Sequence, residues 1–179
     1  GCLNCYAETR NARFNGGVAV NWGPGAPRRR TSEANWAKPL KWNAEAGALG
    51  KRYRVFCASL ADVFDNQVPP QWRADLFDLI AATPSLDWLL LTKRPEEARD
   101  WLRTWYEKPI EVTSGYPGDG SLFRYEGDEN WSFRDGIGWG VLPNIWIGTS
   151  IENSRFTWRA DVLREIPATV RFLSCEPLV

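Results

Sequence analysis

The chain of 179 residues is 44% hydrophobic and 25% charged, which suffices to bury one core and carries no signature of disorder. Lys plus Arg and Asp plus Glu each number 22, so the net charge is zero and no whole-molecule field draws the chain to a polyanion or an anionic membrane. The chain has no His, which excludes Ser-His-Asp and Cys-His catalysis and His-ligated metals within these residues.

No apolar run approaches the roughly 18 residues of a membrane span, so the expectation is a cytoplasmic protein without membrane contact. Met is absent too, even at position 1. The sequence opens inside a cysteine motif and stops at Pro177-Leu178-Val179, directly after an apolar run. The expectation from these ends is a piece truncated on both sides.

In chain order, Tyr6 to Phe14 reads as a short helix. Asn15 to Gly50, with Gly16-Gly17, Gly23-Pro24-Gly25 and Arg28-Arg29-Arg30, shows no sustained period and reads as loop with at most a helical turn or two. Tyr53 to Ser59 is a short apolar run of strand character. The polar turn Asp62 to Asn66 and Pro69-Pro70 then prepare a helix with Trp72, Leu76, Leu79 and Ile80 at helical spacing. Asp87 to Thr92 is a second strand and Pro95 to Trp105 a second helix. Lys108 to Leu142, rich in Gly and aromatics, is long for a connection and reads as an excursion over the site or a decoration. The domain assignment is therefore one domain over 1–179 with an insertion at 106–141. Asn144 to Thr149 is a third strand, Phe156 to Ile166 a third helix and Val170 to Ser174 a fourth strand. Strands alternating with helices imply an α/β fold of parallel strands, covered by helices or closed into a partial or complete (β/α) barrel.

Each strand of this series ends in polar groups: Ser59 and Asp62; Thr92, Lys93 and Arg94; Ser150, Glu152 and Asn153; Ser174, Cys175 and Glu176. The carboxyl ends of parallel strands are where sites assemble. Helix caps account for Ser, Asp and Asn at such places, whereas Lys93-Arg94 and Cys175-Glu176 are not cap residues. The competing reading of Lys93 and Arg94 is an ion pair with Asp62 or Glu176 across the barrel mouth.

Cys2 and Cys5 form a C-x-x-C without secretory context, which leaves thiol redox, zinc or iron–sulfur ligation. Zinc needs four ligands, and neither Cys57 nor Cys175 has a partner at knuckle spacing. A cluster held by three thiolates needs one further Cys. Cys57, inside a strand, reads as a small buried hydrophobe.

Several blocks then stand together in order: Gly1-Cys2-Leu3-Asn4-Cys5-Tyr6-Ala7-Glu8, Ser59-Leu60-Ala61-Asp62-Val63-Phe64, Leu91-Thr92-Lys93-Arg94-Pro95, Leu142 to Asn153, and Arg171 to Leu178. In these the chain resembles a phage-associated, three-cysteine-motif family named after phage gene products 37 and 68, itself similar to radical S-adenosylmethionine (SAM) enzymes. The resemblance implies a (β/α) barrel, partial or complete, with a [4Fe–4S] cluster on Cys2, Cys5 and a third cysteine upstream of Gly1. It further implies SAM at the open iron, reductive cleavage to a 5′-deoxyadenosyl radical, and an electron donor of the flavodoxin or ferredoxin type. Rim position suggests the remaining roles. Ser59, Asp62, Ser150, Glu152 and Asn153 are cofactor-binding candidates, Asp62 or Ser59 for the SAM amino group or ribose and Glu152 for a ribose hydroxyl. Lys93, Arg94, Cys175 and Glu176 are catalytic candidates, with Lys93 and Arg94 suited to a carboxylate or a substrate phosphate. Phage association, Arg28-Arg29-Arg30 and the abundance of Trp and Tyr point to a nucleic acid or nucleotide substrate. The alternative is a zinc-stabilised, non-catalytic binding module of phage origin.

Overall fold

The computed structural model describes residues 6–20, 22–107 and 142–175. Cys2, Cys5, Glu176 and nearly all of the insertion at 106–141 lie outside the described residues. Three helices precede the sheet: α1 (Tyr6–Phe14), α2 (Glu33–Trp36) and α3 (Lys38–Ala48). Then come β1 (Tyr53–Cys57), α4 (Pro70–Ala81), β2 (Leu86–Thr92), α5 (Pro95–Glu107), β3 (Ile145–Ser150), a 3₁₀ turn (Ser154–Phe156), α6 (Trp158–Arg164) and β4 (Val170–Ser174).

The strands form one four-stranded parallel sheet in the order β1-β2-β3-β4, so the α/β class expected from the sequence is present. The sheet does not close: β1 and β4 are its edges, and no barrel forms among the described residues. Register aligns Val55 with Trp88, Trp88 with Ile145, and Ile147 with Arg171. Side chains alternate across a strand. One face therefore carries Tyr53, Val55 and Cys57 of β1, Leu86, Trp88 and Leu90 of β2, and Ile145 and Ile147 of β3. These residues join one core with Ala46 of α3, Leu76, Phe77, Leu79 and Ile80 of α4, Ala98 and Leu102 of α5, and Leu163 of α6. The other face presents Phe56, Leu89, Leu91, Trp146 and Phe172, and Phe56 is 48% exposed.

The stretch Asn15 to Gly50, expected to be mostly loop, contains the eleven-residue α3. Its only fully buried side chains are Pro39 and Ala46, so the apolar stripe that would announce the helix is too narrow to read. Pro39 sits near its start, where a missing N–H is harmless. The third expected helix also begins later, since Ser154–Phe156 is 3₁₀ and α6 starts at Trp158. Asn144, buried before β3, donates from Nδ2 to the carbonyls of Ile80 (2.9 Å) and Thr83 (3.0 Å), tying the end of α4 to the third strand. Ile80 is in the last turn of α4 and Thr83 lies just beyond it; each carbonyl also accepts a backbone N–H, from Thr83 and Leu86, so the Asn144 amide takes their second lone pairs.

Candidate functional site at the carboxyl ends of the strands

Parallel strands in consecutive order bring all four carboxyl ends to one edge of the sheet. At the end of β1, Ala58 adopts φ 57°, a left-handed conformation costing a non-Gly residue roughly 1–2 kcal/mol. This residue reverses the chain into a turn closed by Ala61 N donating to Ala58 O at 2.9 Å, and the turn delivers Asp62 to the end of β2. The exposed Ser59 lies in the same turn.

The Asp62 carboxylate is heavily engaged. One oxygen accepts from Phe64 N (3.0 Å) and Thr92 Oγ1 (2.8 Å), the other from Lys93 N (3.0 Å) and Arg94 Nη1 (3.2 Å). A carboxylate offers about four lone-pair sites, so these donors fill it. Thr92 Oγ1 in turn accepts from Arg94 N at 2.9 Å. Arg94 also faces Asp65 at 3.7 Å, and Asp65 binds Arg28 at 2.8 Å.

A second ionic group spans β2 and β3. Lys93 Nζ pairs with Glu152 Oε1, while Arg159 of α6 donates through Nη1 to Glu152 Oε2 (2.9 Å) and to Ser150 O (2.8 Å). Glu152 is 4% exposed and Arg159 8%, and the Arg159 guanidinium lies 4.2 Å from the Phe156 ring centre. Burial by itself pushes the Glu152 carboxyl up, but the Lys93 hydrogen bond, the Lys93 charge and the Arg159 charge outweigh it. The net result holds the group below the ordinary glutamate range. Glu152 is a carboxylate at neutral pH.

The remaining rim candidates divide. Asn153 caps the 3₁₀ turn, its Oδ1 accepting from Arg155 N at 3.0 Å. Ser150 is buried, and Cys175 is exposed beyond the end of β4. Cys57 faces the core, and burial pushes its thiol up to about 12, as expected of a structural cysteine. Of the two ion-pair partners anticipated for Lys93 and Arg94, Asp62 does pair with Arg94. Lys93 pairs with Glu152 of the neighbouring strand end.

The Arg28-Arg29-Arg30 run is in large part a clasp. Arg28 donates to Asp65, to Gln67 Oε1 (2.7 Å) and to Ala26 O (2.7 Å), while Arg30 pairs with Asp75 and stacks 3.9 Å over the Trp36 ring. These contacts fasten the segment before α2 to the β1–α4 loop and to α4. They commit two of the three cations that had suggested a polyanion site.

Sequence reasoning did not single out Arg159 and Arg73. Arg159 shares the buried stripe of α6 with Leu163, and Arg73 that of α4 with Leu76, Phe77 and Ile80. A cation on an apolar stripe signals a buried acceptor. For Arg73 the acceptors are Val63 O and Asp65 O, both at 3.0 Å, with the Trp101 ring 5.4 Å away. Hollows of about 530 Å³ beside Arg10 and Phe14 and about 210 Å³ between α4 and α5 contain no rim residue. The site is therefore defined by paired charges at the strand ends rather than by those hollows.

No group of three or more metal-binding side chains assembles among the described residues, and no described helix is long and apolar enough to cross a membrane. The chain re-enters from the insertion at Leu142, whose carbonyl accepts from Thr169 Oγ1 (3.1 Å) just before β4. That point is at the amino-terminal end of the sheet, opposite the rim.

Fold and site together define a parallel α/β protein whose ionic groups gather at the carboxyl ends of consecutive strands. Residues 1–179 match the family described as "Protein of unknown function (DUF5131)", and the chain belongs to that family. No curated protein and no solved structure matches it.

Proposed function

We propose that the chain is part of a radical SAM-type iron–sulfur enzyme, with the sheet as one section of a (β/α) barrel wall. The observation that carries this reading is the strand order. Four parallel strands succeed one another without reversal, with their helices contributing to one core on one face. A doubly wound sheet reverses its order and covers both faces, whereas a barrel keeps the order and turns the uncovered face inward. The half-buried Leu89, Leu91, Trp146 and Phe172 suit such an inner face. The rim charges would then surround its mouth.

The donor chemistry fits an iron–sulfur cluster in kind. Cys2 and Cys5 supply thiolates, the chain has no His, and Cys57 is unsuited because its thiol is buried in the core. The third thiolate is proposed to come from upstream of Gly1, as the resemblance implies. When bound, cluster and SAM supply one-electron reductive cleavage to a 5′-deoxyadenosyl radical, fed by a flavodoxin- or ferredoxin-type donor. This chain's residues would position and shield: Ser59, Ser150 and Glu152 toward the cofactor, Lys93 toward an anionic group of the ligand, Asp62 and Arg94 as the frame.

Anaerobic reconstitution with iron and sulfide, in a form carrying the third cysteine, tests the reading. The expected result is the broad brown absorbance of a [4Fe–4S] cluster and reductive formation of 5′-deoxyadenosine from SAM, both lost in Cys2→Ala and Cys5→Ala. Zinc without iron after anaerobic purification, and no SAM cleavage, would overturn it in favour of a zinc-stabilised binding module.

A further inference from the structure

The rim holds two places where an anion would be welcome, and they differ in what already fills them. The first is the junction of β2 and α5, where a helix amino terminus, the Thr92 hydroxyl, Lys93 N–H and the Arg94 guanidinium converge. An anion is already seated there, the carboxylate of Asp62, held by donors on both oxygens. An incoming phosphate or carboxylate would have to evict it.

The second place is the Lys93–Glu152–Arg159 group. Glu152 has a cation on each oxygen. The side chains of Glu152 and Arg159 are 6% and 9% exposed, and Arg159 is further anchored on Ser150 O and against the Phe156 ring. The Lys93 side chain is 35% exposed, on a flexible four-carbon stem. If Lys93 turns to another anion, Glu152 keeps Arg159 and no buried charge is left unpaired, which is the circumstance that makes breaking a buried pair costly. The reverse exchange, with Arg159 leaving, would strand a buried charge.

We propose that Lys93 is the group by which the rim grips an oxyanion of its ligand, a phosphate or a carboxylate, with Glu152 as its resting partner and Arg159 as the fixed counter-ion that lets it leave. Arg94, by contrast, is a frame residue bound to the internal anion Asp62. The proposal rests on the reading above only in taking the rim as the ligand site, and it requires no cluster.

The test is calorimetric titration of the cluster-free chain at low salt, with inorganic phosphate in one arm and acetate in the other. Binding of phosphate alone assigns a phosphate ligand and binding of acetate alone a carboxylate. Lys93→Gln should weaken binding at least about tenfold, Lys93→Arg should retain most of it, and Arg94→Gln should change it by less than about twofold. Circular dichroism of each variant secures that the fold is kept. No binding of either anion, unchanged affinity in Lys93→Gln, or an equal loss in Arg94→Gln overturns the proposal. Each of these results leaves the cluster reading standing, and failure to assemble a cluster leaves this one standing.

Discussion

Asp62 and Thr92 meet where β1 and β2 end, the Thr92 hydroxyl lying 2.8 and 3.0 Å from the two oxygens of the Asp62 carboxylate. The same carboxylate takes Lys93 N–H and Arg94, so it seals the turn from β2 into α5. Asp62→Ala leaves the buried Thr92 hydroxyl and the backbone N–H groups of Phe64 and Lys93 without their acceptor. The expected cost is about 2–4 kcal/mol in urea unfolding, because orphaned partners lose their full hydrogen bonds. Asp62→Asn keeps an acceptor oxygen and should cost less. Equal stability of Asp62→Ala and the parent chain would show that the brace is incidental.

On the face away from the helices, Gly148 leaves room for Phe172. A Cβ at position 148 would come within 2.3 Å of the Phe172 ring. Gly148→Ala therefore has to displace that ring, at about 1–3 kcal/mol for overpacking. The penalty should shrink when Phe172 is also changed to Leu, giving a non-additive double-mutant cycle. Additive losses would mean that the ring moves aside freely.

The sheet was largely legible because its strands are short continuous apolar runs between turn signals. The run from Val170 to Ser174 is bounded as expected; the first two strands differ by one or two residues at one end, and the third is displaced by one residue at both. Helix α3 was not legible, since Pro39 and Ala46 make too thin a stripe to stand out after a Gly-rich stretch. Rim membership followed from the βα rhythm, so Asp62, Lys93, Arg94, Ser150 and Glu152 were found from sequence. Their pairing was not. Lys93 and Glu152 are 59 positions apart, and their meeting depends on the β2–β3 register that aligns Thr92 with Thr149. Periodicity within a strand rules out a one-residue slip, which would turn its apolar set to the other face, but leaves slips of two residues open.

The cysteines of the described residues should differ in reactivity. Cys175 is exposed, whereas burial pushes the Cys57 thiol up to about 12. At pH 8 the Cys57 thiolate would then be on the order of one part in ten thousand, and the thiolate is the reacting form. Iodoacetamide labelling followed by peptide mass mapping should modify Cys175 long before Cys57, with the two rates converging in denaturant. Comparable native rates would place Cys57 nearer solvent than its packing allows.

Acid sensitivity should carry two opposed contributions. Glu152 is buried, which raises its carboxyl, yet the Lys93 hydrogen bond and the Lys93 and Arg159 charges bring the net value below the ordinary 4.5. Its folded value is thus lower than its unfolded one. The stabilisation is complete above about pH 4.5 and is lost as pH falls through the lower folded value. Asp78 on α4 is shifted the other way, first by burial and then by Asp75, so its charge burdens the fold once pH rises past the ordinary 3.8. Glu152→Gln should lower neutral-pH stability by about 3–5 kcal/mol, since it leaves the buried Arg159 without its counter-charge, and should flatten the acid limb of the stability curve. Asp78→Asn should raise stability at neutral pH, with the gain vanishing at low pH, where the parent Asp78 is protonated in both states. Urea melts from pH 3 to pH 8 separate the two. An acid limb left unchanged by Glu152→Gln would mean that the Lys93–Glu152–Arg159 group does not govern it.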